Sequence, residues 1–363
     1  MRKLALLLGS LVVVASASAK EVVPAPVVVE EAPVQIVEKE VIVYRDKEEG
    51  FKPNGYVDVR YQFWGETEGQ NEKDTDTDNG SWNGNNNYGR LQLEGKIQMT
   101  EKAAFDYRVR NYDSLTTVDG HDKDDEERLR FWYNHGNLGD SKVNFTSKVE
   151  YKENAKHNLE YMARFDFAEY MFNNDFIKTT AMVVGPYYRY TWSEGSGDDY
   201  DNNIGLYGLF ENELPFGFGF VTEVDTLGFH NYGDKTHGVY DGVDLKADPE
   251  AKKNSDSNTD LAVNVYLTYG ANLYSNDKVS VDFWAESGFD SYGWSDKVAK
   301  DVDHSTYELK TDPQVTVTYK ATEFVSLYAT AGAEYRNWAR TNQRSASNWR
   351  WQPFAIVGFK TTF

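Results

Sequence analysis

The stretch from Tyr88 to Asn111 is the feature that most constrains how this chain folds. Leucine, isoleucine and methionine alternate there with arginine, glutamine, glutamate and lysine. Side chains of a β-strand point alternately to opposite faces, so this period predicts strands with one apolar and one charged face. Soluble sheets also alternate, but their polar face is seldom so densely charged over successive strands. The pattern leaves open which of the two faces meets water.

Fourteen alternating segments follow one another along the chain, and most have about the 9–11 residues that cross a bilayer as a tilted strand. Glycines and tyrosines blur the alternation in the seventh and eighth segments, which leaves twelve or sixteen strands as alternatives. The segments cover roughly residues 55–64, 88–100, 102–112, 127–135, 141–152, 158–168, 179–192, 203–213, 215–228, 260–270, 278–290, 306–320, 323–337 and 349–363.

The connections between these segments differ in length by a regular rule. Those after even-numbered segments are mostly short and hold turn-forming residues, as at Thr100-Glu101 and Asn276-Asp277. The longest, 65–87 and 229–259, follow odd-numbered segments. Short periplasmic turns and long extracellular loops are typical of outer-membrane barrels. The predicted fold class is therefore all-β: a transmembrane antiparallel β-barrel of about 14 strands.

The N-terminal region divides into two parts before the barrel. Residues 1–19 contain Arg2 and Lys3, an apolar run, and small residues before Lys20, which predicts a secretory signal peptide. Residues 20–53 are rich in valine, proline and glutamate, and the prolines disfavour a helix. We expect a periplasmic N-terminal segment there, with a segment folded into the bore as the alternative. Residues 54–363 then form a barrel in the bacterial outer membrane.

Composition excludes several classes of protein. The chain has 58 acidic against 38 basic residues, a formal net charge of −20, which disfavours nucleic acid as a partner. It has no cysteine and therefore no disulfide or thiolate site. Aromatic residues make up 15% of a chain whose mean hydropathy is −0.66. Aromatic girdles of a barrel account for that combination, and a large lectin-like sandwich is the alternative.

No motif for catalysis, cofactor binding or metal binding has the required spacing. The acidic run at 74–85 resembles a calcium loop but places Asn79 and Asn85 where glycine and glutamate are needed. Histidines at the mouth, such as His121, His230 and His237, could serve a barrel hydrolase in principle, but no serine, histidine and acid set stands out. We therefore predict no enzyme activity, no cofactor and no metal site.

The inner wall follows from the alternation if the apolar residues face lipid. Segments 2 to 5 then point a basic set of side chains into the bore, against only Glu94, Asp106 and Glu150, and segments 8 to 11 point an acidic set. We hypothesise that these opposed arcs produce a transverse field; the alternative is that the charges pair with neighbouring strands and keep the bore wet. The basic set is Arg90, Lys96, Arg108, Arg110, Arg128, Arg130, Lys142, Lys148 and Lys152, and the acidic set is Glu211, Glu223, Asp225, Asp282, Glu286 and Asp290.

The last segment ends on an aromatic residue. Counting back by two from Phe363 gives an outward apolar face that includes Phe359. Outer-membrane barrels commonly end in this way. The sequence therefore predicts a C-terminal assembly signal at Phe359 and Phe363.

Three functions of different classes are compatible with these features. A general diffusion porin would pass ions and small hydrophilic solutes with weak selectivity. A substrate-selective channel would use inner-wall aromatics, Tyr207, Tyr266, Trp284 and Tyr328, as a track. A surface adhesin would bind other cells or host surfaces through its long loops, and this role is compatible with permeation.

Short blocks of the sequence resemble the fusobacterial major outer-membrane porin family (FomA-type). The early blocks are Leu4 to Ser10 and Val41 to Asp46; the later ones are Arg128-Leu129-Arg130, Ser141 to Asn144, Tyr335-Arg336-Asn337 and Trp349 to Pro353 before Thr362-Phe363. The resemblance implies a voltage-responsive, weakly selective channel that assembles as a homotrimer. It implies no catalytic residues.

Overall fold

The structure is a computed structural model that describes residues 50–68, 87–115, 124–193, 200–233, 239–240, 243–244, 257–295, 305–338 and 348–363. Several predicted features lie outside these residues. They are the signal peptide at 1–19, residues 20–49 of the N-terminal segment, the acidic loop at 74–85, and His121, His237 and His304. Among the described residues no helix is long and apolar enough to span a membrane.

Fourteen strands form one sheet, with 3₁₀ turns at Ala168–Tyr170 and Pro215–Gly217. The twelfth strand has two parts, Ser305–Thr311 and Gln314–Lys320, separated by Asp312 and Pro313. Both parts pair with the eleventh and the thirteenth strand, so they occupy one place in the sheet. The strands are β1 Asn54–Trp64, β2 Tyr88–Gln98, β3 Ala103–Ser114, β4 Glu126–Asn137, β5 Asn144–Glu153, β6 His157–Asp166, β7 Lys178–Trp192, β8 Tyr200–Glu213, β9 Phe218–Tyr232, β10 Ser257–Ser275, β11 Val279–Ser295, β12 Ser305–Thr311 with Gln314–Lys320, β13 Val325–Trp338 and β14 Asn348–Thr362.

The sheet closes on itself. Consecutive strands pair antiparallel, and β14 returns to pair with β1 from Tyr56 opposite Thr362 to Trp64 opposite Phe354. Closure leaves this sheet without an open edge among its described strands. An open edge in a membrane would leave backbone N–H and C=O groups without hydrogen-bond partners. The predicted antiparallel barrel of 14 strands is confirmed, and each predicted segment overlaps one strand.

Side-chain oxygens shape the short turns. Thr100 Oγ1 accepts hydrogen bonds from the backbone N–H groups of Lys102 and Ala103, and Thr322 Oγ1 does the same for Phe324 and Val325. Asn276 Oδ1 likewise accepts from the two residues that lead into β11. These residues offer the backbone a local partner where the ladder ends, which is why they mark turns in the sequence. The turn chemistry predicted from Thr100 and Asn276 is thus built into the fold.

The barrel has its polar residues inside and its large apolar residues outside. Four polar residues have no more than 2% of their surface exposed: Gln92, Glu160, Asn203 and Gln352. Large apolar side chains are instead exposed along the strands: Leu91, Phe131, Val149, Leu159, Ile204, Leu227, Leu267, Val317, Leu327 and Val357. In a water-soluble protein this arrangement would be unfavourable, because apolar surface would face solvent and polar groups would be enclosed. Membrane-spanning barrels show this polarity.

Gly288 in β11 occupies a position where a side chain cannot be placed without moving the backbone. Its φ is +155°, and a Cβ there would lie 1.9 Å from the carbonyl oxygen of Val265 in β10. We expect Gly288→Ala to lower the free energy of unfolding by about 2 kcal/mol or more, from backbone strain and overpacking. Denaturant unfolding of protein folded into lipid vesicles measures this.

Gly270→Ala is the matched control for this substitution. Gly270 also lies in the β10–β11 pair, but the nearest atom to its added Cβ is 3.9 Å away. We expect this variant to unfold at the wild-type denaturant concentration or slightly above it. Equal stability of the two variants would contradict the assigned backbone geometry.

Candidate functional site: the charged inner wall

One cavity identifies which face of the sheet is the inner one. It has a volume of about 370 Å³, and its walls include Arg128 from β4 and Asp225 from β9. These strands are five places apart in the sheet. Side chains so far apart can share one cavity only on the concave face of a closed barrel. A second cavity of about 250 Å³ shares Arg128, Arg130 and Trp132 with the first, so the two adjoin.

Eight basic side chains alternate along this face of β2 to β5, and we refer to them as the basic arc. All eight lie on strands, at positions that share a face with buried polar residues such as Gln92 and Asp106. The basic arc consists of Arg90, Lys96, Arg108, Arg110, Arg128, Arg130, Lys148 and Lys152.

Two carboxylates neutralise most of the arginines in the basic arc. Asp106 Oδ1 lies 2.7 Å from Arg130 Nε and 3.9 Å from the nearest Arg128 nitrogen. Glu126 forms an ion pair with Arg108 and lies 3.9 Å from Arg110 and 3.5 Å from Lys152. The pairs join neighbouring strands, as antiparallel register allows for residues directly or diagonally opposite. The arc is therefore a cross-linked network and not a row of free cations.

Glu160 of β6 holds a second network at the edge of the arc. Its side chain is 2% exposed, and its two oxygens lie 2.7 Å from Lys148 Nζ and 2.7 Å from an Arg189 nitrogen. Lys148 also lies 3.6 Å from Glu150. A carboxylate enclosed to this degree is stable as an anion only when its charge is paired. Glu160 thus joins β5, β6 and β7.

Two expectations about the basic residues need correction. Lys142 is not on a strand: it is exposed in the turn before β5, where Leu138 N–H bonds to the Val143 carbonyl. The predicted segment began at residue 141, but the ladder starts only at Asn144. Conversely, β4 begins at Glu126, one residue earlier than predicted, and this carboxylate alternates onto the same face as Arg128. The basic arc consequently has four acidic partners: Glu94, Asp106, Glu126 and Glu150.

Acidic residues occupy the facing strands, and we refer to them as the acidic arc. A β-bulge in β9 skips Asp225 in the pairing with β10, so that Thr226 stands opposite Ala262 and Val224 opposite Val263. Glu223 and Asp225 both line the larger cavity, as their alternation predicts. The acidic arc consists of Glu211, Glu223, Asp225, Asp282 and Glu286. Asp290 lies at a second bulge in β11, and its side chain is outside the described part.

The acidic arc is bound mainly by neutral donors. Glu223 accepts hydrogen bonds from Tyr207 Oη at 2.7 Å and Asn264 Nδ2 at 3.3 Å. Asp282 accepts from Asn272 Nδ2 at 2.7 Å. Glu286 is the exception, since it lies 3.2 Å from Lys310 Nζ of β12. Most carboxylates of this arc therefore have no ion-pair partner among the described residues.

Three of the four aromatic residues considered as a track contact charged groups. Tyr207 Oη donates to Glu223, and Tyr328 Oη donates to Asp58 at 2.7 Å. Tyr266 lies under Lys310, whose Nζ is 5.5 Å from the ring centroid. Trp284 stands opposite Gly270 in the β10–β11 pair. These contacts position polar groups and do not form a continuous apolar strip.

His230 lies in β9 and not in a loop as the sequence reading placed it. Its Nδ1 is 2.6 Å from Asp201 Oδ2, and its Nε2 is 3.1 Å from Asp260 Oδ1. A carboxylate oxygen lies within hydrogen-bond distance of each ring nitrogen, so both nitrogens are engaged within the wall. This arrangement cross-links β8, β9 and β10 and does not present a general base. Because the three residues come from separate strands, no spacing in the sequence indicated it.

The fold and this wall define a β-barrel with an enclosed, charged interior. No family model matches the sequence, and no curated protein matches it. Among solved structures the chain is similar to a bacterial polysaccharide outer membrane secretin, at 12% identity over 85% of this chain and 97% of that chain, with a TM-score of 0.36.

Two further outer-membrane structures give comparable values. The trimer form of OmpT, an outer membrane protein of Vibrio cholerae, is 12% identical over 86% of this chain and 98% of that chain, with a TM-score of 0.34. An anion-selective porin from Comamonas acidovorans is 8% identical over 86% of this chain and 99% of that chain, with a TM-score of 0.32. Scores this low leave the family, the solute and the oligomeric state of this chain open.

Proposed function

We propose that this protein is an outer-membrane porin, a water-filled channel for passive and weakly selective diffusion of ions and small hydrophilic solutes. The observation that carries the proposal is the inverted polarity of the closed barrel. Exposed leucines, valines and phenylalanines on the outer face suit lipid, while enclosed charges and amides need water. Unlike a soluble core, the interior offers a hydrated path between the two ends of the barrel.

The opposed arcs are the feature that would govern selectivity. The basic arc carries eight cations against four carboxylates, and the acidic arc stands nearly across the 14-stranded ring. Low-dielectric walls focus the field between such surfaces, while salt screens it over a Debye length of about 8 Å. Cations and anions would then follow opposite walls, which gives weak net selectivity.

Several further assignments belong to this proposal. The FomA-type resemblance supports membership of that family and a homotrimer in the outer membrane. The signal-peptide pattern at 1–19 supports export, with residues 20–53 in the periplasm. Phe359 and Phe363, whose side chains are 42% and 41% exposed, would serve as the C-terminal assembly signal.

Planar-bilayer recording of the refolded protein tests the channel directly. We expect stepwise conductance increments that rise in proportion to the bulk conductivity of the salt solution. Protein unfolded by heat in the same detergent is the control and should give no steps. A folded barrel that inserts into the bilayer without conducting would contradict the proposal.

A further inference from the structure

The larger cavity of the inner wall contains charges of both signs in one enclosed space. Its volume of about 370 Å³ lies within the ~300–1,000 Å³ typical of small-molecule sites. Arg164 and Arg189 line it together with Glu223 and Asp225. A wall with charges of only one sign would concentrate ions of the other sign, whereas this one offers partners to both ends of a dipolar solute.

Most of the cations around this cavity already have a carboxylate partner. Arg130 binds Asp106, and Glu160 holds both Lys148 and Arg189. Lys152 lies 3.5 Å from Glu126. The charges of these groups are satisfied within the wall, so they offer a solute less than their number suggests.

Arg164 of β6 is different, because no carboxylate of the described residues forms an ion pair with it. Its guanidinium carbon lies 5.5 Å from the centroid of the Trp132 ring and 5.1 Å from that of Tyr207. Aromatic faces hold a cation in place but leave its charge uncompensated. Arg164 is therefore positioned by two rings with its charge available to an anion.

Glu223 and Asp225 are the matching groups of opposite sign. Among the described residues, the hydrogen bonds to Glu223 come from neutral donors, Tyr207 and Asn264. Asp225 forms no ion pair within 4 Å of any described residue, and it is exposed on the wall of the cavity. Both carboxylates thus keep a negative charge available for a cationic group.

Tyr207 sets the relation between the two kinds of charge. Its ring lies against Arg164, and its hydroxyl donates to Glu223 at 2.7 Å. Arg164 and Glu223 thus both contact Tyr207 without forming an ion pair with each other. A small solute that carries a carboxylate and an ammonium group can satisfy both at once.

Resting on the proposed channel function, we infer that this cavity binds small zwitterions, namely amino acids and short peptides. The solute carboxylate lies on Arg164, and the solute ammonium lies between Glu223 and Asp225. A simple anion would gain the first contact but would be repelled by the two carboxylates. A simple cation would gain the contact with Glu223 and Asp225 but would be repelled by Arg164 and the basic residues beside it.

Solute block of the single-channel current tests this site. The probe is trialanine, which is zwitterionic at neutral pH, compared with its uncharged N-acetyl amide, with propionate and with ethylammonium. We expect trialanine alone to reduce the current in a saturable way. Arg164→Gln and the double variant Glu223→Gln/Asp225→Asn should each raise its half-blocking concentration about tenfold, as the loss of one charged hydrogen bond implies.

Lys96→Gln and Asp282→Asn are the matched controls, since each removes an inner-wall charge outside this cavity. Both should leave the trialanine block unchanged, and all variants should still conduct, which shows that they fold. Equal block by propionate or ethylammonium, or block unaltered in the Arg164 and Glu223/Asp225 variants, would overturn the zwitterion site while the diffusion channel stands. Absence of conductance in the wild type would instead refute the channel itself.

Discussion

Replacing Glu160 with glutamine is expected to lower the free energy of unfolding by about 3 kcal/mol, because it removes the enclosed carboxylate that pairs with both Lys148 and Arg189. Lys148 Nζ and an Arg189 nitrogen each lie 2.7 Å from this carboxylate, whose side chain is only 2% exposed. Glutamine keeps the size of the side chain, so the change reports the lost charge and not a cavity. Denaturant unfolding in lipid vesicles, followed by tryptophan fluorescence, measures the loss.

The exposed pair of Lys178 and Glu213 supplies the control for Glu160. Lys178 Nζ and Glu213 Oε2 lie 2.9 Å apart, against 2.7 Å for the pairs of Glu160, but these side chains are 56% and 62% exposed. We expect Glu213→Gln to change the free energy of unfolding by no more than about 0.5 kcal/mol, because water screens the pair. If Glu160→Gln is equally mild, then water in the bore screens the inner wall as bulk water does.

Neutralising arginines of the basic arc should shift the ion selectivity of the channel toward cations. A variant with glutamine at Arg108, Arg110, Arg128 and Arg130 removes the basic arc's surplus of four positive charges and leaves Asp106 and Glu126 without arginine partners. We expect a higher preference for cations. The reversal potential under a tenfold salt gradient should move by on the order of 10 mV, against about 59 mV for ideal selectivity.

The mirror variant of the acidic arc controls for indirect effects of the substitutions. Neutralising Glu223, Asp225, Asp282 and Glu286 as the corresponding amides should move the reversal potential the other way, toward anions. Opposite shifts are the expected result of two facing arcs. Shifts of the same sign, or none, would show that the external loops alone set selectivity.

The strands themselves could be predicted because each carries its own evidence. The alternation in 88–98 and 103–114 is a local property, and it identifies both the strand and its two faces. Turn residues such as Thr100 and Asn276 act on the next few backbone groups, so their role is also readable. Strand ends were less certain, and the starts of β4 and β5 moved by one to three residues.

Small errors at strand ends had large consequences for the charge of the wall. Moving the start of β4 to Glu126 added a carboxylate that binds Arg108, and moving the start of β5 to Asn144 removed Lys142 from the strands. The predicted surplus of about six positive charges thereby falls to four in the described residues of β2 to β5. Residues at strand ends are assigned least reliably, because they have alternating neighbours on one side only from which their face can be inferred.

The register between paired strands was not readable from the sequence. Glu160 could face inward by alternation, but its position beside Lys148 and Arg189 depends on the register of β5, β6 and β7. The contacts of His230 with Asp201 and Asp260 likewise join three strands. The bulge at Asp225 breaks the two-residue period, so the sequence pattern placed Glu223 and Asp225 on the inner side but gave no sign that Thr226 joins them there.

The sequence by itself determined that this chain forms about fourteen two-faced strands, because the period of side-chain direction is a property of each strand alone. Tertiary structure decided which charges neutralise one another and which remain free. That outcome depends on register, bulges and closure, which join residues far apart in the chain. Arg164 held between two rings, and Glu223 and Asp225 without an ion pair to any described basic residue, therefore become visible only in the closed barrel.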